Sequence, residues 1–286
     1  MEWYVLAGIA IMMAVMLSAS YFDWRYRTVP DIHWWVLGIS GIALTACSLP
    51  GEMRMEWIMM LIGSAMILAF ILLDVDVPGM VSAVWCIIMA VLFIYPAVVS
   101  FDDPVTKRLL IIPICFVVFY VLFMFGILRG GADAKCLMVT SMVFQTYPVI
   151  GGLPLIAIPS INIQIIFSFP IAVLFHAALF SFAWLFWTVI RKIYRREDPV
   201  QMITLSCYRM SIEDARRSHV WPKQDVANGM IVNVNGIPPD GALDRLEAVG
   251  AKDVWVTPII PFMIPIAAAM VFILTVGSLL NIPFSL

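Results

Sequence analysis

Two aspartates, Asp23 and Asp133, carry the strongest prospect of chemistry in this sequence. Each stands at the border of an apolar stretch, Asp23 in SASYFDWRYRTVPD and Asp133 in GILRGGADAKCL. A charge beside lipid is costly, so each such group needs an account. Two carboxylates sharing one site about 3 Å apart cannot both ionise, so one keeps a proton. The ionised member then activates a water, while the protonated member polarises a carbonyl. Such a pair hydrolyses a peptide bond with acid–base chemistry alone and titrates as a unit. The plainer account is a pair of ordinary helix-end carboxylates. Asp133 would then cap the helix that follows it, and Asp23 would pair with Arg25 or Arg27. Asp74 and Asp76 also lie beside an apolar stretch, so position alone is an unspecific signal.

The neighbouring residues sharpen both readings. Gly130 and Gly131 precede Asp133, and without side chains they would let a substrate backbone come close. Lys135 either lowers the proton affinity of Asp133 or snorkels to the lipid surface. Arg25 and Arg27 either orient a substrate carbonyl or serve as cationic anchors at the inner face. Asp31, just before HWWVLG, reads as the N-cap of a helix. His176 lies inside the apolar IAVLFHAALF, where a neutral, hydrogen-bonded imidazole competes with a functional one. No H-E-x-x-H or G-x-S-x-G occurs, and none of the five cysteines forms a C-x-x-C pair. Neither a metal nor a cofactor is therefore expected.

The elements that must position these groups are helices in a bilayer. Hydrophobic residues make up 63% of the chain and charged ones only 13%, about half the charge of a soluble domain. The apolar stretches predict about eight membrane helices, at 4–22, 33–49, 55–73, 79–98, 109–128, 134–158, 164–190 and 258–280. The first resembles a secretory signal, but Glu2 stands where a basic residue belongs, which favours a retained helix. The sixth is interrupted by Gln145, Pro148, Gly151, Gly152 and Pro154. Breakers of this kind survive in a membrane only where protein or a watery cavity covers the freed backbone. The expected organisation is a helical core over 1–190, a soluble domain over 191–257 and a last helix within 258–286. In the soluble domain, GMIVNVNGIPPDG reads as a strand and turn, ALDRLEAVG as a short helix ending at Gly250, and DVWVTP as a second strand. The fold class is thus all-α and polytopic, with a small α+β insertion before the last helix. The net charge of −2 gives no reason to expect a nucleic-acid partner.

Basic residues set the orientation. With the N-terminus outside, Arg25, Arg27, Arg129, Lys135 and the ten Lys/Arg of 191–257 face inward, against Arg54, Lys107 and Arg108 facing outward. Arg191, Lys192, Arg195 and Arg196 adjoin a span and weigh in the same direction. Asp23 and Asp133 then share the inner face although 110 residues separate them.

The blocks D-W-R-Y-R-T-V-P-D and G-G-A-D-A-K resemble the two signature blocks of the type IV prepilin peptidases, GxGD-type membrane aspartyl peptidases. More narrowly they resemble the archaeal preflagellin peptidases. Asp23, Arg25, Val29 and Pro30 match the first block, and Gly130, Asp133 and Lys135 match the second. VWVTPIIPFMIP and the polar insertion ahead of the last span are also similar to the archaeal branch. Three departures stand out. Ala132 replaces a glycine, the stretches 55–73 and 79–98 form an extra hairpin, and the paired-cysteine domain of bacterial members is missing. A hairpin adds two passes and leaves both aspartates on one face.

The resemblance implies catalysis by Asp23 and Asp133, with Gly130, Gly131, Lys135, Arg25 and Arg27 in support. It implies a substrate, an archaellin or pilin-like precursor whose leader is cut at the cytoplasmic face. Two rivals come from other classes. Intramembrane proteases of the presenilin or signal-peptide-peptidase type also pair membrane aspartates, but the first of theirs usually follows Tyr, whereas Phe22 precedes Asp23. An ion-coupled transporter also carries membrane carboxylates and broken helices, yet no inverted repeat is visible here.

Overall fold

The computed structural model describes residues 3–52, 54–73, 79–128, 130–195, 207–234, 241–259 and 261–284. Asp74, Asp76, Arg129, Arg196 and most of the Pro-Pro-Asp-Gly turn lie outside the described residues. The chain divides into two compact units, one of residues 1–178 with 261–286 and one of residues 179–260.

The first unit is helical. Its elements are α1 (Trp3–Tyr26), α2 (Ile32–Cys47), α3 (Met55–Leu72), α4 (Gly79–Val99), α5 (Pro104–Met124), α6 (Gly131–Val143) and the single turn α7 (Ile161–Gln164). Then come the start of α8 (Phe169–Arg195) and, after the second unit, α11 (Met263–Thr275). Among the described residues, five helices are long and apolar enough to cross a membrane: α1, α3, α4, α5, and α11 with the 3₁₀ turn that carries it to Phe284. The other three of the eight expected stretches do not join this set, and a fourth starts elsewhere than expected. The second stretch forms a shorter apolar helix, Ile32–Cys47, and the seventh lies in the 27-residue α8, where Phe169–Ala183 is the apolar part among the fully described residues. The sixth is helical only over Gly131–Val143, roughly 20 Å of rise against a hydrocarbon layer of about 30 Å. The fifth begins five residues early, because Asp103 caps α5 through the Thr106 N–H at 2.9 Å and Pro104 opens its first turn.

The reason α6 stops is local. Gln145 Nε2 reaches back to the Ser141 carbonyl at 2.8 Å and the Met142 carbonyl at 3.1 Å. It thereby occupies acceptors that a helix end leaves open. Beyond it, Gln164 Oε1 accepts the Tyr147 N–H, and the Tyr147 hydroxyl donates to the Phe167 carbonyl at 2.8 Å. The N–H groups of Leu155 and Ile156 pair with the Thr275 and Val276 carbonyls. Irregular backbone inside the bundle is therefore satisfied by side chains and by the end of α11, as an apolar surround requires.

α2 and α6 lie against each other with like ends together. Thr45 Oγ1 donates to the Met142 carbonyl at 2.9 Å at one end. Lys135 meets Asp31 at the other. The close approach depends on Gly41, where a Cβ would stand 2.8 Å from the Met142 carbonyl carbon and 2.9 Å from the Val143 nitrogen. α6 is enclosed, with every residue from Cys136 to Val143 buried.

The second unit holds β1 (Tyr208–Ser211), α9 (Ile212–Arg217), β2 (Val220–Pro222), β3 (Gln224–Ala227), β4 (Met230–Asn233), α10 (Ala242–Ala248) and β5 (Asp253–Pro258). An antiparallel sheet runs β1-β5-β2, and β3 and β4 form a hairpin turned by Asn228 and Gly229, both at positive φ. Ile212, Ala215, Leu246, Val254 and Val256 make its core. The expected strand DVWVTP is β5, and the expected helix is α10. Gly250, at φ 82°, follows α10 as its C′ residue, with its N–H on Glu247 and the Ala251 N–H on Leu246.

Candidate active site

Asp23 lies within α1, one turn before its end, rather than just past it. Its Oδ2 accepts the Met263 N–H at 3.1 Å. Met263 is the first residue of α11, so the carboxylate occupies one of the donors that a helix start leaves unpaired. Ser20 Oγ donates to the Met263 carbonyl at 3.3 Å, which binds the same residue to α1 a second time. The turn after α1 is fastened by His33, which is buried. Its Nδ1 donates to the Pro30 carbonyl at 2.9 Å, and its Nε2 meets Ser18 Oγ at 2.9 Å. The α1–α2 connection thus holds its shape through an imidazole that bridges both helices and the loop.

Asp133 is the third residue of α6, and Gly130 is the N-cap. The plain reading of Asp133 as the cap is therefore overturned: it is one turn too far in, and glycine has no side chain with which to cap. The Asp133 side chain folds back over Gly130. A Cβ placed on Gly130 would run into Asp133 Oδ2 and stand 2.8 Å from its Cγ. The glycine makes room for the carboxylate itself. At Gly131 the nearest side-chain atom to a Cβ would be on Phe123, 3.8 Å away, so that position has space.

Asp23 and Asp133 are brought within electrostatic reach of each other. Burial, and after it the charge of Asp23, push the Asp133 carboxyl up to about 7. Arg27 lies within electrostatic reach of Asp23. Arg25 is exposed. Lys135 does not turn toward Asp133. Its Nζ lies 2.9 Å from both carboxylate oxygens of Asp31. Asp31 does occupy the N-cap position of α2, but its side chain makes no capping bond, because it is committed to Lys135. The ion pair joins the loop after the first block to the helix of the second.

His176 is fully buried and settled in a structural role. Its Nε2 accepts the Leu279 N–H at 3.2 Å, so Nδ1 carries the proton and donates to the Ala172 carbonyl at 2.8 Å. The imidazole is neutral and has both nitrogens paired. Met263, Asp31 and His33 are the residues that sequence reasoning missed or misassigned at the site. Met263 offers only a backbone N–H, which no residue pattern marks. Asp31 stands at the N-cap of α2 and Lys135 is the fifth residue of α6, and nothing in their spacing links them across 104 residues.

No family model matches this chain. The chain is 26% identical to a preflagellin peptidase of Methanocaldococcus jannaschii over 166 residues, covering 58% of this chain and 69% of that protein. The likeness read from the blocks around Asp23 and Asp133 and this similarity point to one group, and the chain is similar to the preflagellin and prepilin peptidases.

Proposed function

We propose that the chain is a membrane aspartyl endopeptidase that removes the N-terminal leader of archaellin or type IV pilin-like precursors. The similarity to a preflagellin peptidase supports a peptidase. One observation supports the aspartyl mechanism most directly. The charge of Asp23 in the first block reaches the Asp133 carboxyl of the second, 110 residues along the chain.

In this mechanism Asp133 holds the shared proton and Asp23 is ionised. Asp23 takes a proton from a water as its oxygen attacks the scissile carbonyl carbon. Asp133 gives its proton to the carbonyl oxygen, so the intermediate is a neutral diol. Collapse breaks the C–N bond. The leaving nitrogen takes the proton from Asp23, and Asp133 regains its own from the diol. The orientation drawn from basic residues puts this chemistry at the cytoplasmic face, beside the short basic leader of such a precursor.

Co-expression with a leader-bearing precursor, scored by its shift in mobility, tests the proposal. Asp23→Asn and Asp133→Asn should each abolish processing while the protein still inserts in the membrane. Near-wild-type processing by either variant would refute the assignment.

A further inference from the structure

α1 ends at Tyr26, and the next residue, Arg27, has φ 59°. This is the left-handed region that glycine or asparagine normally supplies at a helix C-terminus. For a residue with a long side chain the conformation is unfavourable. A second cost falls on the same residue. Its Nε and Nη1 are covered from solvent and make no hydrogen bond among the described residues. Donors left this way are costly in a folded chain. An arginine acting only as a cationic anchor would keep its guanidinium in water or among lipid headgroups, where those donors find partners. Arg25, exposed and inside regular helix, fits that description. Strained backbone together with unspent donors is the pattern of a residue kept for what its side chain binds.

We propose that Arg27 binds a backbone carbonyl of the peptide substrate through these two donors, beside Asp23. The inference rests on the peptidase reading and assigns the substrate contact to Arg27 rather than Arg25. The ligand chemistry follows from charge. Arg27 already lies within electrostatic reach of the Asp23 carboxylate. An acidic side chain brought to the same donors would sit beside Asp23 and be repelled by it, whereas a neutral carbonyl oxygen accepts the hydrogen bonds with no such penalty. An extended segment next to the cleavage point presents such carbonyls whatever its side chains. The contact would therefore hold the precursor's backbone in register with the acid pair rather than read its sequence.

The test uses the purified full chain and a leader-bearing precursor, with Arg27→Gly, Arg27→Gln and Arg27→Lys compared. Glycine relieves the left-handed strain and removes the donors, so it separates a backbone role from a side-chain role. Arg27→Gly and Arg27→Gln should each lower kcat/KM by roughly 10- to 100-fold, the worth of a charge-assisted hydrogen bond, with Arg27→Lys in between. The melting temperature of Arg27→Gly should not fall. Added guanidinium at millimolar concentration should restore part of the Arg27→Gly activity and none to Asp23→Asn. Wild-type kcat/KM in Arg27→Gly would overturn the proposal while leaving the aspartyl mechanism standing. Wild-type processing by Asp23→Asn would instead overturn the mechanism on which it rests.

Discussion

At the scale of single residues, Gly130 and Asp133 behave as one object. The carboxylate lies where a side chain at 130 would go, so Gly130→Ala must displace it. Displacing a reacting group by about 1 Å costs on the order of 100-fold in rate, and a fall of that size in kcat is the expected result of assaying this variant. Gly131→Ala, whose new methyl would meet its nearest packing neighbour, Phe123, only at 3.8 Å, should leave the melting temperature of the purified protein unchanged. The raised Asp133 also sets a pH dependence. Its carboxyl is protonated below about 7 in the folded protein. The mechanism needs it protonated, so kcat should decline as pH rises through about 7. Folding stability follows the same group. Between about 4 and 7 the unfolded chain has released this proton and the folded chain has not, so stability should drop across that window. Asp133→Asn should flatten the drop in a series of thermal melts.

At the scale of elements, the pairing of α2 with α6 does most of the positioning. Gly41 lets their backbones approach, Thr45 and Gln145 hold their far ends, and Asp31 with Lys135 holds the near ends. The ion pair is partly exposed, 43% for the Asp31 side chain and 27% for Lys135, so its direct worth to stability is about 1 kcal/mol or less. Its larger effect should be on activity, since it ties the first block to the helix that carries Asp133. Asp31→Asn and Lys135→Met should each reduce processing, and the double variant should be no worse than the poorer single one. Fully additive losses in that cycle would show that the two side chains act separately.

At the scale of the whole molecule, the proposed orientation has a direct test. Arg54 and Lys107 lie at the N-terminal ends of α3 and α5, and Asp23 lies near the opposite end of α1. The exposed Cys47 and Cys86 would first be replaced by serine. In intact cells a membrane-impermeant maleimide should then label Arg54→Cys or Lys107→Cys. It should reach Arg217→Cys, in α9, only after permeabilisation. Labelling in the reverse pattern would overturn the cytoplasmic assignment.

Composition and hydropathy by themselves determined the membrane class, the apolar stretches behind the five long helices, and the small α+β insertion with β5 and α10 in place. These signals are local, carried by consecutive residues that meet the same solvent or the same turn. The two aspartates were legible as candidates because a charge beside an apolar run is conspicuous in one dimension. Only the tertiary structure decided that Gly130 houses the Asp133 carboxylate, that Lys135 answers Asp31, that Met263 N–H binds Asp23, and that α6 ends at Val143 under Gln145. Apart from the contact of Asp133 with Gly130, which turns on side-chain direction, each of these depends on groups far apart along the chain or on backbone atoms that every residue shares. Neither kind leaves a periodicity, and both become visible only when packing chooses a partner for each polar group that lipid will not satisfy.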